Sequence, residues 1–215
     1  MQFERVDHGL RADEISDLVG TSPLMLEIGS HEGTDTVRFL DAMPGIRLHC
    51  FDPEERANAV FRRELGGDSR VTLYETAVGD VDGPKPFYAS TGKAGSREDW
   101  NFSGSLHKPT GHLKRSPEIK FKPPVLVPCI RLDTWLLYTQ IDCIDFAWVD
   151  IQGAQVDFLA GAKEALGIIR YLYIECHQEP LYDGEPTQEE LIAMLPEFAP
   201  LAIYGDENIL FENQA

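Results

Sequence analysis

Residues 24–36, Leu-Met-Leu-Glu-Ile-Gly-Ser-His-Glu-Gly-Thr-Asp-Thr, constrain this chain more than any other stretch. An apolar run broken only by Glu27 meets Gly29 and Gly33, and a periodic segment follows from Thr34 to Met43. That order reads as buried strand, tight loop and helix, the cradle of an α/β nucleotide-type site. Gly29 permits a sharp turn at the strand's carboxyl end, and Gly33 lets the helix start close to whatever lies above it. Glu27, inside the apolar run, calls for a partner because an unpaired buried carboxylate is costly.

Two ligand classes use such a loop. The dinucleotide fingerprint G-x-G-x-x-G needs its middle glycine so that backbone amides reach a pyrophosphate. Here His31 holds that position and Thr34 holds the last. Glu27, Glu32 and Asp35 surround the loop with carboxylates, which repel phosphates and suit a ligand carrying sulfonium and ammonium groups, such as S-adenosylmethionine. Glu32 and Asp35 also fit as first-turn acids favoured by the helix dipole. A nicotinamide-dependent oxidoreductase is the enzymatic alternative; a nucleoside-binding module without catalysis is the alternative outside enzymes.

The remaining chain repeats the strand-then-helix layout. Leu10 to Val19 reads as a short amphipathic helix. Ile46 to Phe51 is a second strand, and Asp52 follows it about twenty residues beyond the glycine loop, where a carboxylate takes the ribose hydroxyls of a nucleoside or caps the helix Pro53 to Leu65. Val71 to Val78 is expected as one third strand. Its end, Thr76-Ala77-Val78-Gly79-Asp80, supplies small groups and an acid for an adenine ring, or begins an ordinary turn. Pro86 to Ala89 reads as a short extra strand. Val125 to Ile130 is a strand and Leu132 to Tyr138 a short helix. Cys143 to Val149 delivers Asp150 to the sheet's carboxyl edge, followed by Gly153 and a helix, Ala154 to Leu166; Asp150 is either an active-site acid or that helix's cap. Ile168 to Cys176 is a fifth main strand with Glu175 and His177 at its end. Thr187 to Leu195 is a capped helix, and Leu201 to Tyr204 with Asn208 to Phe211 form a closing antiparallel hairpin.

Residues 90–124 depart from this pattern. The segment is rich in Gly, Ser and Pro, lacks periodicity, and is too long for a plain connector, so a substrate-contacting loop or lid is expected. Lys93, Arg97, Lys108, Lys114, Arg115, Lys120 and Lys122 outnumber Glu98, Asp99 and Glu118, with Trp100, Phe102 and His107 interleaved. Such a mixture suits an anionic or sugar-like acceptor, a solvated loop, or packing on an acidic neighbour in an oligomer.

Charge and cysteines bound the setting. A net charge of -17 argues against nucleic-acid and anionic-membrane partners. Cys50, Cys129, Cys143 and Cys176 are widely spaced and form no CxxC pair, as expected of free thiols in a reducing compartment rather than disulfides or zinc ligands. No apolar signal region opens the chain and no run approaches a membrane span, so a cytoplasmic protein is expected. The length of 215 residues suits one α/β domain over 1–215 with 90–124 as its loop. A homo-oligomer is compatible with all of this.

The ordered series Leu26-Glu27-Ile28-Gly29-Ser30-His31-Glu32-Gly33-Thr34, Phe51-Asp52-Pro53, Ala77-Val78-Gly79-Asp80, Ser103-Gly104-Ser105-Leu106, Arg131-Leu132-Asp133-Thr134, Trp148-Val149-Asp150-Ile151-Gln152-Gly153-Ala154-Gln155, Tyr173-Ile174-Glu175-Cys176-His177 and Asn208-Ile209-Leu210-Phe211 resembles the FkbM family of S-adenosylmethionine-dependent methyltransferases. The resemblance implies a Rossmann-like methyltransferase fold, α/β, with a mostly parallel seven-stranded sheet, an antiparallel last strand and helices on both faces. It implies O-methylation of a hydroxyl on a sugar or small metabolite. By position it implies Glu27, Gly29, His31 and Gly33 at the methionine end of the cofactor, Asp52 at the ribose and Asp80 near the adenine. By the same resemblance Asp150 would lie at the reacting centre; Asp150 or His177 is the expected base with Glu175 orienting its partner, and a divalent metal held by Asp150 with Glu175 or His177 ranks below this metal-free reading. The chain departs from the family's usual residues at His31, Trp148, Gln152 and Gln155.

Overall fold

The structure, a computed structural model, describes residues 4–92, 100–205 and 207–215. Lys93, Arg97, Glu98, Asp99 and Asp206, which the sequence reading placed in the long loop and the closing turn, lie outside the described residues. The chain opens with β1 (Glu4–Val6), α1 (Ala12–Val19), β2 (Leu24–Ile28), α2 (Thr34–Ala42), β3 (Arg47–Phe51), α3 (Glu55–Leu65) and β4 (Val71–Tyr74). An accessory region follows: β5 (Ala77–Val78), β6 (Gly83–Phe87), β7 (Ser90–Thr91), α4 (Thr110–Arg115), β8 (Lys120–Phe121) and β9 (Val125–Ile130). The second half continues with α5 (Leu132–Thr139), β10 (Ile144–Val149), α6 (Gln155–Gly161), α7 (Lys163–Leu166), β11 (Ile169–Glu175), α8 (Gln188–Met194), β12 (Phe198–Tyr204) and β13 (Asn208–Asn213).

The main sheet has the order β1-β12-β13-β11-β10-β2-β3-β4, with every pairing parallel except those of β13. It therefore has eight strands where seven are expected. The extra strand is β1, whose three residues, Glu-Arg-Val, carry no alternation signal and are ordered by pairing with Ala202 to Tyr204. Successive side chains on the central strands point to opposite faces. Leu24, Leu26 and Ile28 join Phe158, Ala165 and Leu191 on one face. Met25, Leu48 and Tyr173 join Ile15, Phe39 and Phe61 on the other. All five residues of β2 are buried, as a strand covered on both faces must be.

Four expectations need correction. The single strand Val71 to Val78 is two: β4 ends the main sheet, whereas β5 leaves it to pair with β9 in a small β5-β9-β6 sheet. The extra strand lies at Gly83–Phe87 rather than at Pro86 to Ala89, since β6 pairs with β9 from Gly83 onward. The helix Ala154 to Leu166 is broken at Ala162, where α6 ends. A Cβ on Gly161 would overlap the carbonyl oxygen of Gly79, so the helix packs directly on the backbone of that turn. A second set of bonds explains the restart: the Asp133 carboxylate accepts from the amides of Glu164 and Ala165 and caps α7 from a distance. The segment 90–124, expected as one long functional loop or lid, carries β7, α4 and β8 among its described residues.

The carboxyl ends of β2, β3 and β10 are tied together. The Asp150 amide donates to the Ile28 carbonyl (2.9 Å), and the Gly29 amide donates to that of Phe51 (2.8 Å). Gly29 has φ 94, and a Cβ there would overlap the Asp150 carbonyl oxygen. We expect Gly29→Ala to lose at least about 3 kcal/mol in urea unfolding, from combined backbone strain and overlap. Gly67→Ala, where nothing lies within 4 Å of the added methyl, should stay within about 0.5 kcal/mol of the parent.

Glu27 is 1 % exposed on β2. Its partners are the Thr36 hydroxyl, donating at 2.6 Å, and the Cys50 thiol at 3.5 Å. Burial pushes its carboxyl up to about 8, and these two donors only partly oppose the rise. The folded state thus keeps a proton that the unfolded chain loses at 4.5. The stability this group contributes is present below 4.5 and is lost as pH rises through about 8. Glu27→Gln, which retains an acceptor for Thr36, should be near neutral at pH 4.5 and more stable than the parent by about 3 kcal/mol at pH 8, measured by urea unfolding across that range.

Candidate functional site

A cavity of about 270 Å³ opens at the carboxyl edge of the sheet. Its floor comes from the β2–α2 loop (Gly29, Ser30, His31), the end of β3 (Phe51, Asp52, Pro53, Glu54) and the end of β10 (Asp150, Ile151, Gln152). Ala77, Val78, Phe87 and Leu106 supply an apolar wall, and Asn101 and Phe102 reach over from the long segment.

Asp52 is held at the end of β3 by two backbone donors. The His31 amide donates to one carboxylate oxygen (2.8 Å) and the Glu54 amide to the other (2.7 Å). Burial still pushes its carboxyl up to about 7. Asp52 does not cap the following helix; Glu54 does, accepting from the Arg56 amide. Each Asp52 oxygen keeps a second lone pair for a ligand hydroxyl. His31 takes the left-handed conformation, φ 49, and its ring lies 4.3 Å from that of Phe102. Burial lowers the His31 pKa, and the nearby Glu32 opposes the change. Ser30 Oγ is buried at the cavity wall with no hydrogen-bond partner among the described residues, a group left for a ligand to satisfy.

Asp150 lines the cavity, and its neighbours lie behind it. The amide nitrogen of Gln152 donates both to Asp150 Oδ1 and to Glu175 Oε2, each at 2.8 Å. Asp150 is not a helix cap, because Ala154 precedes α6. Burial raises Glu175 well above the ordinary carboxylate range, and the charge of Asp150 adds to the rise. His177 is buried away from the cavity. Its Nδ1 lies 2.6 Å from Glu185 Oε1, while Glu185 Oε2 accepts from the amides of Leu181 and Tyr182. Against its burial, the His177 bond and these amides hold Glu185 below its usual value.

The structure therefore brings Gly29, His31, Asp52 and Asp150 together around one space, with Glu175 one side chain behind. Glu27 lies beneath the loop in the core rather than on the cavity wall. Gly33 also faces inward: at φ 86, a Cβ on it would meet Leu65 and Phe61. Asp80 does not line the cavity; it pairs with Lys85, which also bonds Asp157. His177 is held by Glu185 outside the lining. The sequence reading passed over Tyr182, whose hydroxyl donates to Gln152 Oε1 (2.8 Å), and Glu185. Their signal was a turn, Leu-Tyr-Asp-Gly-Glu-Pro, just beyond the strand that carries Glu175. Among the described residues, no group of three or more His, Cys, Asp or Glu side chains is placed to hold a metal ion.

Comparison with known proteins agrees with this architecture. The methyltransferase FkbM domain matches residues 27–200. The 2-O-methyltransferase NoeI of Sinorhizobium fredii is 36% identical over 197 residues, covering 89% of this chain and 81% of NoeI. The crystal structure of the methyltransferase FkbM from Methylobacillus flagellatus superposes with TM-score 0.53 at 14% identity, covering 89% of this chain and 44% of its own, so this chain spans less than half of that neighbour. The N-methyltransferase NodS from Bradyrhizobium japonicum, in complex with S-adenosyl-L-homocysteine, superposes at 0.51 with 12% identity over 95% of this chain and 86% of its own. The last two share the fold. The match across the strand ends that build the cavity, together with the extent of the likeness to NoeI, makes this chain a member of the FkbM methyltransferase family.

Proposed function

We propose that the protein transfers a methyl group from S-adenosylmethionine to a hydroxyl of an uncharged sugar or similar small metabolite. The observation that carries this is the pair Asp52 and Asp150, set at the ends of β3 and β10, the two strands that flank β2, and lining one cavity. Asp52 takes the ribose hydroxyls, Ala77, Val78 and Leu106 flank the adenine, and Ser30 with the acids of the loop receives the methionine end. Bound there, S-adenosylmethionine supplies an electrophilic methyl on a sulfonium that leaves as a neutral thioether. Asp150 takes the proton as the acceptor oxygen forms its bond to the methyl carbon and the carbon–sulfur bond breaks. The apolar wall and the 101–106 roof exclude water, which strengthens each of these contacts.

The charges around the cavity set the acceptor class. Asp35, Asp52, Glu54 and Asp150 line it, and Arg38, the one lysine or arginine lining it among the described residues, is mostly exposed and spent on Asp35. None of Lys108, Lys114, Arg115, Lys120 or Lys122 lines the cavity. An anionic acceptor would meet uncompensated carboxylates, so a neutral polyol fits better than a phosphorylated one. Residues 90–124 serve as the acceptor lid of a single 1–215 domain. The net charge of -17 and the free thiols at Cys50, Cys129, Cys143 and Cys176 suit work on small acceptors in the cytoplasm, away from nucleic acid and membrane surfaces. No helix among the described residues is long and apolar enough to cross a membrane.

Calorimetric titration tests the reading. S-adenosylmethionine and its demethylated product should bind while NAD does not, and Asp52→Ala should weaken binding at least about 30-fold. Binding of NAD alone, or of nothing, would overturn it. With an acceptor in hand, Asp150→Asn should lower kcat by about 10²-fold or more, with cofactor affinity within about threefold of the parent.

A further inference from the structure

We infer that Gln152 is a positioning residue: its side-chain amide, oriented by the Tyr182 hydroxyl, bridges the Asp150 and Glu175 carboxyls and holds them as one unit at the cavity floor. The inference deepens the proposed methyl transfer and rests on Asp150 as its proton acceptor.

The geometry leaves little freedom. Gln152 Nε2 spends both N–H groups on carboxyl oxygens, and Gln152 Oε1 accepts from Tyr182. Turned over, the amide would set its oxygen against two carboxyl oxygens, and Tyr182 would have to accept from it and send its one proton to the Ser103 carbonyl. The backbone beneath is pinned as well. Gln152 sits at φ 49, Gly153 at φ 91 has its Cβ position filled by Tyr182, and Ser105 Oγ donates to the Gln152 carbonyl (2.6 Å). A left-handed non-glycine residue costs about 1 kcal/mol, so the surrounding contacts hold this turn against strain. Tyr182 also reaches the Ser103 carbonyl (3.1 Å), which links the bridge to the roof of the cavity.

Both carboxyls accept from the one amide, and burial together with the charge of Asp150 raises Glu175. An amide that donates to both without titrating lowers the cost of their negative form. The other charges facing the pair are fixed parts of the site. Asp150 faces His31 after β2, Asp35 on α2, Asp52 after β3, Tyr173 on β11 and Tyr182 beyond it. Glu175 faces Glu185, Glu207 and the His177 Nε2 at 3.8 Å.

Carboxyl carbon NMR titration of the ligand-free protein tests the bridge, with Asp150→Asn used to assign the pair. Gln152→Met keeps the volume and removes both donors, and the Glu175 titration step should move up by about one pH unit. Tyr182→Phe, which frees the amide to turn, should move the same step in the same direction by less. Near-UV circular dichroism establishes that each variant is folded; should Gln152→Met fail to fold, Tyr182→Phe decides. Folded variants with an unmoved step would overturn the proposal, since lost packing alone lowers stability without moving it. Calorimetry with S-adenosylhomocysteine on the same samples separates the two readings: absence of binding to the parent sinks the methyl-transfer reading, while the titration still decides the role of Gln152.

Discussion

Everything at the functional edge depends on one close approach, that of Gly29 to the backbone of Asp150. The Asp150 amide bonds the Ile28 carbonyl, and only a residue without a side chain leaves room for the Asp150 carbonyl beside it. This contact ends two parallel strands at the same height. It sets the glycine loop and the Asp150 carboxylate a few ångströms apart, and the second-strand acid, Asp52, is tied to the same loop through the His31 amide. The arrangement is one of backbone and steric fit, so it stays in place whatever the protonation state of the acids it carries.

Those acids are expensive to keep. Asp52, Glu27 and Glu175 all lie where burial disfavours the charged form, and each is offset differently: two backbone amides for Asp52, a hydroxyl and a thiol for Glu27, a glutamine amide for Glu175. Of these only Asp52 lines the cavity, beside Asp35, Glu54 and Asp150, and such a lining is a poor host for phosphate and a good one for a sulfonium. The electrostatics thus agree with family membership, from an independent direction.

Much of this was legible in the sequence, for identifiable reasons. The central strands are buried on both faces, so their apolar runs and terminal acids stand out, and Asp52 and Asp150 could be placed by strand ends alone. The closing hairpin likewise followed from two apolar runs around a Gly-Asp-Glu turn. What escaped were features settled by tertiary contact. Val78 continues the apolar run of β4 but pairs with Ile130 in another sheet; β1 exists only because β12 is there to pair with it. His177 looked like a base because it follows a strand. Its ring lies outside the cavity lining, bonded to Glu185, eight residues later, a partner no local pattern could assign.

The roof of the cavity has a meaning for how such a protein changes over time. Asn101 bonds Glu32, Phe102 packs on His31, Ser105 bonds the Gln152 carbonyl and Tyr182 bonds the Ser103 carbonyl. All four contacts lie between the roof and the rims of three loops, and none reaches into the main sheet. The insert between β6 and β9 is therefore a replaceable part. A lineage can rewrite it while inheriting the glycine cradle beneath unaltered, so the roof and the strand ends can diverge at separate rates within one gene.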